Sequence, residues 1–195
     1  MQGRHLWEGA LACAIVGVMA CATTPSASAR QRPAEITPVF KDRGVPQAID
    51  LPKGQNCAVQ IVAMRDDRME KALVGIIGTR AVKSPLDSAT WLKSVLSGLE
   101  ARNIKVAFDA PAAPSATALS FALKTAWIDA SPSTYSANVV AHVAHGDGAE
   151  KIYRGRSSRT AYWSGGEDTL QSALNGAFAD LLDKLTLDLG AICRS

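Results

Sequence analysis

Histidines and serines carry much of the acid–base and nucleophilic chemistry of proteins, and here their patterns predict no catalytic site. His142 and His145 lie three residues apart in a predicted strand. Side chains in a strand alternate between the two faces, so these imidazoles cannot hold one metal ion together. The sequence also contains no Gly-x-Ser-x-Gly segment, which marks the nucleophile of many esterases. We therefore expect no catalytic residue, no metal, no cofactor, and a protein that is not an enzyme.

Three other polar patterns are compatible with either a site or an ordinary structural role. Asp66-Asp67-Arg68 is either a polar site at the end of a strand or a solvated turn with a local ion pair. Ser164-Gly165-Gly166-Glu167 lacks the lysine of a P-loop, and a capping box explains it fully. Arg154, Arg156 and Arg159 either meet lipid headgroups or an acidic partner, or protect an edge strand. We expect the structural role in each case.

The first thirty residues are typical of an export signal. Arg4 and His5 precede an apolar run over residues 10–22. Thirteen residues at about 1.5 Å each are too short for a hydrocarbon core of roughly 30 Å. A run of this length is typical of a secretory signal peptide rather than of a transmembrane helix.

Two cleavage sites compete near the end of this run. Val18-Met19-Ala20-Cys21 resembles the lipobox of bacterial lipoproteins, in which the cysteine is diacylated and becomes the mature N-terminus. The alternative is a small-x-small site at Ala27-Ser28-Ala29, which would discard Cys21. We expect lipidation at Cys21, with residues 1–20 as signal peptide, because the lipobox ends the apolar run and a Pro/Ser tract follows. More than one acyl chain holds a protein stably on a membrane.

Cys57 and Cys193 would remain in the mature chain besides Cys21. Export leads to an oxidising compartment, where two cysteines can persist as a disulfide. We expect this pair to be bridged, and the alternative is two free, buried thiols. The spacing of these cysteines gives no CxxC pattern, so a zinc site is not predicted.

Composition divides the chain into a signal peptide, a tether and a domain. Residues 21–56 contain five prolines and no long apolar pattern, which predicts a lipidated N-terminus followed by a flexible tether. Within it, residues 36–40 either form a short strand on the domain edge or belong to the tether. Residues 57–195 are expected to form one domain, long enough to bury a core.

Alternating and helical spacings predict the elements of this domain. The predicted strands are residues 57–65, 72–78, 104–108, 119–127, 135–143 and 152–157. A first helix is expected after Ser84-Pro85, with Ser84 as its N-cap. A second helix has the clearest pattern, a continuous apolar stripe at helical spacing. Its members are Leu170, Ala173, Leu174, Ala177, Phe178, Leu181, Leu182 and Leu185.

The order of these elements predicts an α+β fold. Two amphipathic helices each need an apolar surface, and an antiparallel sheet offers one apolar face. We therefore expect a two-layer sandwich, a mainly antiparallel sheet with both helices on one face. Trp91, Trp127 and Trp163 are predicted to lie in the core or at its rim, and the last strand, rich in arginine, at a sheet edge.

Composition also excludes several classes of protein. Hydrophobic residues make up 47% of the 195 residues, which excludes disorder of the whole chain. Four cysteines are too few for a disulfide-dense scaffold. A net charge of +3 gives no reason to expect a nucleic-acid partner.

Several segments resemble the YajG-type uncharacterised lipoproteins of Gram-negative bacteria. Besides the lipobox-like residues 18–21 and the Pro-rich tether, these are residues 91–106, 135–143, 151–154 and 170–185. Arg102-Asn103 stands where that family usually has a glycine turn. The resemblance implies an envelope lipoprotein with no established enzymatic activity, and it supplies no catalytic residues.

These observations together predict a non-enzymatic cell-envelope lipoprotein with a binding or assembly role facing the periplasm. Its lipid anchor would hold it on the outer membrane, with the inner membrane as the alternative location. The expected partners are that membrane and an unknown envelope protein or lipid. The alternative function is an auxiliary lipoprotein of an ABC-type lipid or lipopolysaccharide transport system. An apolar groove between helices and sheet would favour that alternative, and a filled core would argue against it.

Overall fold

The computed structural model describes residues 33–37, 39–42, 44–52, 55–84, 87–108, 116–131, 133–146, 148–160 and 166–194. In chain order the elements are β1 (Ala34–Glu35), β2 (Cys57–Asp66), β3 (Leu73–Ile77), β4 (Arg80–Lys83), α1 (Ser88–Ser97), a 3₁₀ turn (Glu100–Arg102), β5 (Ile104–Phe108), β6 (Thr117–Ala130), β7 (Thr134–His145), β8 (Lys151–Thr160) and α2 (Glu167–Ile192). The six predicted strands and both predicted helices are present, and β1 and β4 are additional short strands.

The eight strands form one open, mixed sheet in which most paired residues are antiparallel. β6 is its centre, with β7 antiparallel along one side and β8 antiparallel beyond β7. The other side of β6 is shared, because residues 117–123 pair with β2 and residues 128–130 pair with β3, both in parallel. β5 extends the sheet from β2, and β4 and β1 extend it from β3. The fold is therefore mixed α/β.

The arrangement of β2 differs from a purely antiparallel sheet. It lies parallel to both of its neighbours, β5 and β6. Parallel neighbours need a long crossover connection rather than a tight turn. The chain between β2 and β5 supplies one, since it contains β3, β4 and α1.

α2 supplies the longest apolar surface of the molecule. Every residue of its predicted stripe is buried, and the helix contacts β7 and β8. It also meets α1, where the rings of Trp91 and Phe178 pack edge to face with centroids 5.2 Å apart. At Gly155 of β8, a Cβ would overlap the carbonyl oxygen of Ala177 in α2. A glycine at this point allows the strand and the helix to approach each other.

α1 begins later than predicted, and its N-cap is Asp87 instead of Ser84. The Asp87 carboxylate accepts a hydrogen bond from the Thr90 backbone N–H at 3.0 Å. An aspartate in this position satisfies a free N–H group and carries charge of the sign that a helix N-terminus favours. Beyond the helix, Asn103 takes the left-handed conformation with φ 63°, which a glycine usually supplies.

The compact domain begins near residue 32, well before the predicted boundary at Cys57. Ala34, Ile36 and Ile49 are buried in the core. The Ile36 N–H donates to the Lys83 carbonyl oxygen at 3.0 Å, next to the short strand β1. Much of the predicted tether is therefore part of the domain. The residues of this segment that contact the core are apolar and widely spaced between prolines. Their spacing has neither the period of a helix nor that of a strand, so the sequence did not predict their burial.

Candidate functional site

One face of the β6–β7–β8 ladder lies against α2, and the opposite face, here called the open face, is the candidate binding surface. Along β7, alternate residues from Tyr135 to Val143 are buried, and the residues between them are half-buried. The register places Trp127, Asn138 and Arg156 side by side on three strands of the open face. This surface combines an aromatic ring, an amide and a guanidinium with small side chains.

A pocket of about 70 Å³ lies in the open face where β2, β6 and β7 run side by side. Its floor consists of four short side chains, Ala63, Ser120, Ala122 and Ala144, and we call it the alanine pocket. The register places Arg65 and His142 on either side of Ala122. Because alanine is short, these two longer side chains flank an open space, and the Ser120 hydroxyl lies at its floor.

Glu150 holds one end of the His142 ring. Its Oε1 lies 2.5 Å from His142 Nδ1, which leaves Nε2 as the ring nitrogen available to a ligand. His145 lies on the other face, where its charge acts on Asp188 of α2. The prediction that His142 and His145 point to opposite faces is confirmed. Among the described residues, no group of three or more His, Cys, Asp or Glu could hold a metal ion.

Arg65 is the exposed cation of the alanine pocket. Within the described part of the chain its guanidinium forms no ion pair. The nearby Asp67 carboxylate is bound to Lys124 at 2.7 Å. The hydrogen bond from Lys124, with help from the charge of Arg65, holds the pKa of Asp67 below its usual value. The Asp67 carboxylate is therefore paired with Lys124 rather than with Arg65.

Ser120, His142 and Glu150 are the residue types of a hydrolase triad, and all three line this pocket. Acyl transfer by such a triad needs donors for the developing oxyanion, and backbone N–H groups or side chains supply them. At Ser120, β6 pairs with Ala63 on one side and with Ala144 on the other. The N–H groups beside Ser120 therefore belong to the sheet ladder. What the pocket offers is hydrogen-bond donors on side chains.

The Asp66-Asp67-Arg68 segment is not a solvated turn, because its central ion pair is buried. Arg68 Nε and Nη2 donate to the Asp66 carboxylate at 2.9 and 2.7 Å, and both side chains are at most 5% exposed. Ser88 Oγ donates to the same carboxylate at 2.5 Å, and the guanidinium lies 5.0 Å from the Trp91 ring centroid. Burial raises the pKa of Asp66, but the hydrogen bonds from Arg68 and Ser88 outweigh it and leave this pKa lowered. The cluster fastens the start of α1 to the end of β2.

β8 is an edge strand, as predicted, but its three arginines do not form one patch. Strand alternation places Arg154 and Arg156 on the open face and Arg159 on the α2 side. The edge is protected mainly by α2. The Asp180 carboxylate accepts from the Arg156 backbone N–H at 2.8 Å, and Lys184 Nζ donates to the Arg154 carbonyl oxygen at 2.7 Å. These backbone groups would otherwise be available to another strand.

Arg102 is a fully buried cation with two carboxylate partners. Its Nε donates to Asp183 Oδ1 at 2.8 Å, and its Nη1 pairs with Asp42. Nη1 also donates to the Gly98 carbonyl oxygen at 2.9 Å. Arg102 thus ties the N-terminal segment, the end of α1 and α2 together. Its donors are occupied by the protein, which indicates a structural role.

Cys57 and Cys193 form a disulfide, with their Cα atoms 5.4 Å apart. It joins the first residue of β2 to the residue that follows α2. A cleft of about 540 Å³ opens beside Cys57, between residues 49–51 and 55–56 on one side and β5 on the other. Its lining carries charges of both signs, including Asp50 and Lys105, and does not favour one class of ligand.

Several predicted features lie outside the described residues. They are Cys21 with both cleavage sites, Trp163, and Ser164 and Gly165 of the predicted capping box. The N-cap of α2 is Gly166, which forms no side-chain hydrogen bond. Of the other tryptophans, Trp91 is buried in the core and Trp127 is half-buried on the open face, where its Nε1 donates to Asp129 at 2.9 Å.

The fold of this chain is similar to that of a solved protein of low sequence identity. A crystal structure of a DUF330 protein from Xanthomonas campestris matches with a TM-score of 0.51 and 14% identity, over 82% of this chain and 98% of that one. A hemagglutinin homolog from Helicobacter pylori matches with a TM-score of 0.31 and 11% identity, over 77% of this chain and 91% of that one. No protein-family model matches the sequence, and neither does any curated protein.

The pocket residues Arg65, Ser120 and Glu150 were not candidates in the sequence. One signal for them is the composition of residues 118–123, where small and large apolar side chains alternate. Such alternation indicates a strand that packs tightly on one face and leaves room on the other. The neighbours across that space come from β2 and β7, and only the strand register identifies them.

Proposed function

We propose that this chain is a non-enzymatic cell-envelope lipoprotein that faces the periplasm and acts by binding. The lipobox-like residues 18–21 and the resemblance to YajG-type lipoproteins support the anchor and the compartment. Anchoring would occur through acyl chains on Cys21, to the outer membrane in preference to the inner. In the described part of the chain, no helix has the length and apolar character to cross a membrane.

The observation that carries the binding role is the alanine pocket. It places Arg65, Ser120 and His142 around a floor of short side chains. The backbone groups beside them are paired with the neighbouring strands of the sheet. Side-chain donors around an open space of this size can hold a small polar ligand. We infer a binding protein, and the absence of enzymatic activity stays part of this proposal.

We also infer that the domain is a two-layer sandwich with both helices on one face of the sheet. The buried stripe of α2, the contact between Trp91 and Phe178, and the alternation of burial along β7 support this arrangement. It leaves the open face turned away from the helices. That face would then meet a ligand or an envelope partner, while the helix side forms the core.

The alternative function, an auxiliary lipoprotein of an ABC-type lipid or lipopolysaccharide transport system, has less support. It calls for an apolar groove between helices and sheet. In the described residues this interface is filled, since Phe178, Leu181, Leu182 and Leu185 of α2 are fully buried. The fold similarity to a DUF330 protein is compatible with either role.

Substitution of the acylated cysteine tests the anchor. In cells expressing Cys21→Ser, the protein should move from the membrane fraction to the soluble fraction and should no longer incorporate labelled palmitate, because serine lacks the thiol that accepts the lipid. Cys13→Ser is the matched control, since it changes another cysteine of the same apolar run and should leave fractionation unchanged. Membrane association of Cys21→Ser at the wild-type level would overturn the lipoprotein proposal.

A further inference from the structure

We propose that the alanine pocket binds a phosphate group, with Arg65 and Ser120 as its donors and His142 Nε2 as a third donor when the ring carries both protons, because the Glu150 carboxylate takes the Nδ1–H. This inference rests on the proposed binding role and names its ligand class. Arg65 and His142 belong to strands on either side of β6, and neighbouring strands lie about 4.8 Å apart. Their backbones are therefore separated by roughly 10 Å, twice that spacing, across the short side chain of Ala122.

The charge of the site favours an anion. The Arg65 guanidinium is exposed and is not paired with any described carboxylate. Arg154 of β8 lies diagonally beside His142 on the same face, because its register partner is Val140. Glu150 is the one carboxylate among the lining residues, and it is bound to His142 Nδ1. One guanidinium, that of Arg65, thus lines a site whose single carboxylate already has a partner, and Arg154 adds a second positive charge nearby on the same face.

The shape of the site favours a phosphate group over a carboxylate. A carboxylate is planar and presents two oxygens, which one guanidinium can satisfy alone. Here the donors stand on two opposite walls and on the floor, at Arg65, His142 and Ser120. A tetrahedral anion has oxygens that can meet all three directions. The volume of about 70 Å³ suits a single group of this size but not a whole nucleotide or lipid.

Inorganic phosphate is the probe for the first test. The full-length Cys21→Ser chain is titrated with sodium phosphate at low ionic strength, against sodium chloride of equal ionic strength, and the histidine imidazole signals are followed by NMR. The signal of His142 should shift and saturate, and that of His145 should not, because it lies on the other face. His145 is thus a control within the same molecule.

Variants distinguish specific binding in the pocket from nonspecific electrostatic attraction of phosphate to the open face. Arg65→Gln should weaken phosphate binding at least tenfold, and Ala122→Leu should abolish it by filling the floor. Arg156→Gln removes the same charge from the same face outside the pocket, and should change the affinity less than about threefold. Both pocket variants change side chains on the open face, and the thermal midpoint of each checks that the fold is kept. An equal loss of phosphate affinity in Arg65→Gln and Arg156→Gln would overturn the proposal. It would also be overturned if phosphate did not shift the His142 NMR signal in the chain whose pocket is unchanged.

A second arm identifies the source of the phosphate group. Vesicles of phosphatidylcholine with phosphatidic acid present an exposed phosphate at a membrane surface, and vesicles of phosphatidylcholine alone do not. Arg65-dependent binding to the first kind only indicates a lipid headgroup, and a response to inorganic phosphate without vesicle binding indicates a soluble phosphorylated compound. The Cys21→Ser fractionation is independent of both arms, so failure here removes the ligand class and leaves the anchor standing.

Discussion

Removal of the buried cation Arg102 should destabilise the whole domain. Arg102→Met keeps much of the side-chain volume and deletes the guanidinium that joins Asp42, Asp183 and the Gly98 carbonyl oxygen. Breaking a buried ion pair from one side costs about 3–5 kcal/mol, because the remaining charge is left without its partner.

The structure places the expected loss at the lower end of that range. The Arg102 side chain has no exposed surface, whereas Asp42 and Asp183 are 18% and 31% exposed. Water can therefore reach both carboxylates after the substitution and recover part of their solvation. We expect a loss of about 3 kcal/mol in the free energy of unfolding. At roughly 2–4 °C per kcal/mol for a chain of this size, the thermal midpoint should fall by about 6–12 °C.

Urea unfolding of the Cys21→Ser chain is the assay, with Arg156→Met as the matched control. That control removes an exposed arginine, so its effect should stay within about 0.5 kcal/mol. Arg102→Lys should fall between wild type and Arg102→Met, because an ammonium group cannot reproduce the fork that serves two aspartates.

Hydrogen exchange adds a local measurement of the same contact. The Ile49 N–H donates to the Arg102 carbonyl oxygen at 3.2 Å, so its protection reports on the N-terminal segment. It should exchange faster in Arg102→Met, since Asp42 of that segment has lost its partner. A stability within about 1 kcal/mol of wild type, with Ile49 still protected, would refute the assignment of Arg102 as the residue that joins these three elements.

Two further predictions concern packing and pH. Gly155→Ala should destabilise the domain by about 1–3 kcal/mol in urea unfolding, because the new Cβ meets a backbone carbonyl of α2. Gly176→Ala is its control in α2, where the new Cβ meets the Oγ and Cβ of Ser157 rather than a backbone carbonyl. Its loss should be smaller, because alanine is favoured over glycine inside a helix by about 1 kcal/mol. The pKa of Asp66 lies below its ordinary value of 3.8, so its ion pair stabilises the fold above that pH and ceases to do so as the pH falls through the folded-state pKa. Asp66→Asn should therefore lower stability at neutral pH and flatten its decline in acid. An unchanged acid dependence of the urea midpoint would contradict this.

The elements of the domain were predictable where a local period is long. The stripe of α2 repeats over more than four turns, and its eight residues are all buried. The alternation along β7 likewise identifies the face that meets the helix. Short segments were harder, because β4 has only four residues and β1 two, too few to show a period.

The polar clusters show the limit of local reasoning. Asp66 and Arg68 look like a surface turn in the sequence, but α1 covers them with Trp91 and Ser88. Arg102 appears to end a helix, yet its partners lie 60 and 81 residues away. Burial converts these charges from solvated groups into tightly paired ones, and no local pattern reports it.

The sequence by itself determined the main strands and helices, and it gave the predictions of an export signal, a lipidated cysteine at Cys21 and a bridge between Cys57 and Cys193. These depend on composition and on periods within one segment. Only the tertiary structure decided that residues before Cys57 belong to the domain, that β2 lies parallel to both neighbours, and that Arg65, Ser120 and His142 line one pocket. Each of these depends on which distant segments pack together and in what strand order and register. Contacts between residues far apart in the sequence set that arrangement, so no pattern within one segment reports it.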